Sequence, residues 1–265
     1  MRNAITLAAI VPLLIVGQPV LAAEMPAGDV SSEQESPALV TDRPTFGAAA
    51  AAVAEDFVVF EFGAEFGRDA AGEQLLLPLG LVRWGLGDGF ELDLGLPSLE
   101  ASWPDDEVDQ TDVGALMLAG RWIVPLSDAV SVGVLPFLTL PVKGEHYDSR
   151  GVGLGARLVW SVQATDWLGV GGNFGLLFAG LGAETSEREY LASLGLSFAL
   201  TDALGTFVEV FSVIAESDSD AAPVSVDAGL TWLVTERFQL DVYAGMDVRH
   251  APDVFFAGLG GAVLW

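Results

Sequence analysis

The 265-residue chain has no cysteine, so neither disulfides nor thiolate metal sites are available to it. It has only two histidines, His146 and His250, both in stretches that read as external loops. A nucleophile, a base and an orienting group in mutual reach cannot be assembled from these, and nothing in the spacing of the acids selects a dyad. No catalytic residue, cofactor or metal ligand is therefore assigned, and an enzyme is not expected. Basic residues are scarce, 11 against 37 acidic ones for a net charge of -26, which argues against a nucleic-acid partner. Beyond its first segment, no stretch has the roughly 18 uninterrupted apolar residues of a spanning helix. The many Gly-x-Gly strings do not sit between a strand and a helix, so they are not phosphate cradles. Yet the chain is 51% hydrophobic, with mean hydropathy +0.47 and 31 glycines. So much apolar residue beside so much charge suits a barrel with lipid outside and water inside.

The chain divides by composition. Arg2, an apolar run from Ile5 to Val16 and the small residues around Ala22 read as a Sec signal peptide over residues 1–22. Residues 23–40 are polar and acidic and read as a flexible periplasmic tether. Residues 41–56 form a pre-barrel segment that can act as a plug, its alanine run read as a spacer or fraying helix. Residues 57–265 carry the barrel.

From Phe57 the residues alternate with period two, the mark of a strand with two different faces. Val58, Phe60, Phe62 and Phe66 share one face; Glu61 and Glu65 share the other, which is therefore the wet one. The same logic turns Glu91, Asp93, Arg157, Glu209, Asp227, Asp241 and Asp247 inward, with Arg83 and Arg121 less sharply defined. Leu75 to Leu81 reads as one strand, residues 98–111 as a long polar loop, and Pro136 as the site of a bulge. The last strand, VFFAGLGGAVLW, has a smooth apolar face and ends on Trp265. It resembles the terminal signal of bacterial outer-membrane barrels, which implies recognition by the barrel assembly machinery and closure on the first strand. The reading is all-β: a transmembrane antiparallel up-and-down β-barrel of about 12 strands.

The connections check this independently. Those at 87–89, 125–129, 164–166, 201–205 and 235–237 are short and follow even-numbered strands. Those at 98–111, 179–189 and 216–223 are longer, more polar and follow odd-numbered ones, as periplasmic turns and external loops should. Trp84, Trp122, Trp160, Trp167, Trp232 and Trp265 lie beside the short connections or the carboxyl end, as an interfacial girdle would; Trp103 does not.

Thr41-Asp42-Arg43-Pro44 before the first strand, Glu61 within it, Gly89-Phe90-Glu91-Leu92 opening the third and Asp253 to Gly260 near the end carry a family likeness. On these the chain resembles a bacterial outer-membrane transporter family named for the meta pathway of phenol degradation, with Thr45 where that family typically has an acid or its amide. The resemblance implies a barrel that passes aromatic or other small hydrophobic compounds and performs no chemistry on them.

The expected function is passive admission of small hydrophobic, aromatic or cationic solutes through a narrow acidic lumen, in the outer membrane and in contact with its lipid. Asp42, Arg43 and Pro44 are the expected plug or gate, with Arg43 paired to a lumen carboxylate such as Glu61. The acidic loops around Asp105 and Asp218 read as solvated and not as calcium sites. The alternative is a closed structural or adhesive barrel, its lumen filled by Phe207, Phe211, Tyr243 and Phe256.

Overall fold

The computed structural model describes residues 37–69, 72–104, 109–142, 151–183, 186–217, 222–249 and 254–265. The expected signal peptide, most of the expected tether, both histidines and the acidic loop residues 105–107, 218 and 220 lie outside them. The first stave is β1 (Val58–Arg68). Three staves follow in which the strand is interrupted once: β2 (Gly72–Leu77) with β3 (Leu81–Gly87), β4 (Phe90–Gly95) with β5 (Leu99–Pro104), and β6 (Gln110–Val113) with β7 (Leu116–Ser127). Eight unbroken staves complete the wall: β8 (Val130–Leu140), β9 (Val152–Thr165), β10 (Leu168–Leu181), β11 (Glu187–Ala199), β12 (Leu204–Ala215), β13 (Ser225–Thr235), β14 (Phe238–Asp247) and β15 (Phe255–Leu264). Neighbours pair antiparallel in chain order, and β15 returns to β1 with Phe60 opposite Val263 and Gly63 opposite Gly260. The result is a closed barrel of twelve staves, which leaves no open edge in lipid.

Burial runs opposite to that of a water-soluble domain. The largest fully buried side chains include Arg83, Arg121, Arg157, Gln239, Glu61, Glu91 and Glu209. Leu158, Phe174, Val242 and Leu259 project outward with more than half of their surface exposed (59%, 57%, 51% and 64%). Large apolar side chains are stable there only if the surrounding solvent is hydrocarbon. The expected girdle tryptophans all project outward. Trp84 opposes Val58, Trp160 opposes Val132 and Trp232 opposes Leu204, each close to the rim that carries the short turns and the carboxyl end.

Three expectations are corrected. Residues 98–111 are mainly wall and not loop, because Leu99–Pro104 pairs with both β2 and β6. The second stave is not one strand: Pro78 has no N–H to give the ladder, and Leu79 resumes contact with β1 through the Gly63 carbonyl at 2.7 Å. The next two staves break at the same level, where Leu96 donates to Gly80 at 2.8 Å and Gly114 to Ser98 at 2.7 Å. Pro136 makes no bulge. Its strand holds register with β9 through Pro136 opposite Ala156, and the pairing with β7 is unshifted on either side of it.

Candidate functional site

Residues 37–54 enter the barrel before the wall begins. Leu39 and Val53 both pack against Val59, Ala262 and Leu264 near the rim that carries the carboxyl end, so the segment goes in and comes back out at one end. Between them it rises to a turn at Phe46 and Gly47. The alanine run forms neither a helix nor a loose spacer. Ala48 and Ala50 lie buried against Leu81, Met117, Leu135, Val159 and Leu191 of the wall. Alanine suits that place because two passes of backbone must share the bore with inward side chains.

An arch without a β-ladder must satisfy its amides otherwise, and the wall supplies the partners. Glu61 accepts from the Asp42 and Arg43 N–H groups at 2.8 and 3.0 Å. Glu209 accepts from Phe46 at 2.7 Å and Gly47 at 3.0 Å, and Asn173 both accepts from Ala48 N–H and donates to its carbonyl. Val53 N–H reaches Glu91 at 2.6 Å. Arginines take the carbonyls: Arg83 donates to Val40 and Ala51, and Arg121 to Ala49. Arg83 also pairs with Asp42, Glu61 and Glu91, while Arg121 pairs with Asp42, Glu91 and Asp93, all buried. Buried ion pairs add less net stability than their number suggests, but moving one partner strands the other, so the network fixes one seat for the arch.

Arg43 marks the seam. Its guanidinium donates to Asp241 of β14 through Nε at 3.2 Å and Nη2 at 2.9 Å. It lies over the Tyr243 ring at 5.7 Å. A Cβ on Gly63 of β1 would come 2.5 Å from it, as would one on Gly260 of β15, so two facing glycines form its slot. Burial opposes the charge on Arg43, and Asp241 more than offsets that, leaving its pKa above the ordinary arginine value. The expected partner Glu61 is corrected here. It holds the backbone of residues 42 and 43, while the side chain crosses to Asp241.

The nine expected lumen residues all face inward, in unlike settings. Glu61, Glu91, Asp93, Glu209 and Asp241 hold the arch or its arginines. Arg157 lies 5.6 Å from the Phe46 ring centroid and 6.0 Å from that of Phe137. Glu65 accepts from the Tyr243 hydroxyl at 2.7 Å, Asp247 accepts from Arg249 N–H, and Asp227 Oδ1 is buried without a hydrogen-bond partner. Beyond the arch, Phe46 stacks on Phe211 at 4.3 Å, and Phe256 sits between Phe211 and Tyr243. On the other side, a cleft of about 60 Å³ separates Arg43, Pro44 and Thr45 from Ser197, Thr231 and Gln239 near the rim of short turns. Asn173, Gln239 and the Gly63/Gly260 slot carry no expected role from sequence alone. Asn173 among glycines was the one visible signal of the three.

Residues 30–265 match the family model described as "Putative MetA-pathway of phenol degradation". No curated protein sequence matches the chain. Similar solved structures include an outer membrane channel from Pseudomonas putida F1, at TM-score 0.60 and 15% identity over 82% of this chain and 98% of that one. The KdgM porin gives 0.57 and 12%, and the NanC porin 0.57 and 9%, each over 77% of this chain and 98% of the other. At such identities the likeness establishes the fold, an outer-membrane β-barrel.

Proposed function

The chain belongs to the family described as "Putative MetA-pathway of phenol degradation", and on that footing we propose that it is an outer-membrane channel for small solutes, closed by its own arch. The observation that carries the proposal is what fills the lumen. In a barrel sealed for good, wall side chains meet across the axis, as in eight-stranded barrels. Here the wall presents Gly63, Gly155, Gly245 and Gly260 to the interior and a separate segment takes the space. Two passes of backbone, each about 5 Å across, imply a bore of about 10 Å once the arch has left. That width admits a single-ring aromatic or an organic cation and excludes a folded chain.

Fastening also suits a gate. Between its two ends the arch is held by hydrogen bonds and ion pairs that water or a solute can replace, and from Thr41 to Ala52 its apolar side chains are small apart from Pro44 and Phe46. The excess of inward acids over inward arginines favours cations or neutral solutes over anions. Export through the Sec route and insertion through the carboxyl-terminal strand complete the proposal. The density of arch contacts favours the alternative, a barrel permanently closed for a structural role. Planar-bilayer recordings of the mature protein and of Arg43→Glu separate the two. The channel reading expects brief cation-selective openings that lengthen in the variant, and silence in both supports the sealed barrel.

A further inference from the structure

On the outer side of the arch the wall places two carboxylates side by side. Glu209 and Asp227 are directly opposite one another on β12 and β13, both facing inward. Like charges in that relation repel, and a sheet tolerates them only with a reason. Glu209 spends its oxygens on the amides of Phe46 and Gly47. Asp227 is 4% exposed, and its Oδ1 is buried with no protein donor. Among the described residues no arginine or lysine pairs with Asp227 or with Glu65, whereas Asp42, Glu61, Glu91, Asp93 and Asp241 each have one.

Aromatic rings flank the same spot. Gly245 lies between Asp227 and Phe256 in register, and a Cβ there would fall 2.2 Å from Phe256 Cζ and 2.7 Å from Asp227 Cβ. The ring and the carboxylate stem therefore border one point, which glycine leaves free. Phe211 and Tyr243 tilt against Phe256 at 5.9 and 6.3 Å, and Tyr243 carries the bond to Glu65. Phe211 and Phe256 face inward yet are only half-buried, so they border open luminal space beyond the arch. An acid without a counter-ion beside several ring faces is the chemistry that recognises an alkylammonium group. A divalent metal would need more oxygens than these, and among the described residues no group of three or more suitable side chains could hold one.

We infer that this outer chamber binds an organic cation, an ammonium carrying an apolar substituent, with Asp227 and Glu65 facing its charge and Phe211 and Phe256 flanking it, beside Tyr243, whose ring already carries Arg43. The inference deepens the channel reading by naming a solute class. Its test is calorimetric titration of the full mature protein, refolded in detergent, with benzyltrimethylammonium chloride and with benzyl alcohol. Saturable binding of the cation alone is expected, weakened about tenfold or more by both Asp227→Asn and Phe256→Leu. Glu65→Gln, away from the Glu209 pair, serves as a third variant with the same expectation should either of the others fail to refold by gel mobility. The inference is overturned if the native protein does not bind the cation, if benzyl alcohol binds as well, or if the refolded variants keep native affinity. Binding is read without current. A conducting protein that ignores the cation refutes this assignment alone, and one that binds it but never conducts refutes the channel reading alone.

Discussion

Arg43→Glu is the sharpest perturbation of the arch. The native guanidinium makes two hydrogen bonds to Asp241, at 2.9 and 3.2 Å, in a slot that leaves it 5% exposed. Removing one member of a buried pair costs about 3–5 kcal/mol. The lower end applies, because Arg43 itself borders a cleft from which water can take the place it leaves. The new carboxylate also faces Asp241, and two like charges about 4 Å apart repel by about 4 kcal/mol at an effective dielectric of 20. The glutamate can swing toward the cleft and relieve part of that, so we take about 3 kcal/mol as the least effect. If this falls on docking of the arch, the ratio of undocked to docked forms rises about 100-fold. Single-channel open probability is the assay, with Asp241→Asn in the same chain expected to recover part of the loss. An unchanged open probability in Arg43→Glu, or no recovery in the double variant, would refute the reasoning.

Gly63→Ala should loosen the arch without touching a charge. The added Cβ lies 2.5–2.6 Å from three guanidinium atoms of Arg43 and from no closer wall atom, so the side chain must leave its slot. Longer openings and unchanged ion selectivity are expected in bilayer recordings. Leu158→Arg, on the lipid face at the middle of β9, should lower unfolding stability in lipid vesicles by about 2–4 kcal/mol. A neutral result there would mean that this face does not meet hydrocarbon.

Strand count and facing were legible because period two acts on every residue of a stave: Glu61 and Phe60 could not share a face. The turns were legible because loop length and Trp84, Trp122, Trp160 and Trp232 agreed on one rim. The level at which inward residues meet was not. It depends on the stagger between staves, which no local pattern records, so Arg43 could be predicted to seek an inward acid but not to pass Glu61 for Asp241. The breaks at Pro78 and Gly114 escaped because each reverses the facing: Leu76 and Leu81 both point inward, so no single period runs across the break. Residues 98–111 read as a loop on polarity, although Leu99, Ala101 and Trp103 pair as strand residues do. The arch itself has no period. Its order comes from Glu61, Glu209, Asn173 and Arg121, distant in sequence, and a run of alanines does not announce such partners.

The central claim is that the arch alone closes the lumen. A cross-link at its apex tests this directly, since the chain has no native cysteine to confuse the result. A Cβ on Gly47 would lie 2.6 Å from Ser193 Oγ, within reach of a disulfide between Gly47→Cys and Ser193→Cys after small shifts of the Asn173 and Glu209 side-chain ends. The account predicts current through the reduced protein, none once the bond has formed, and current again on reduction. The same current in both states, or none in either, would contradict it.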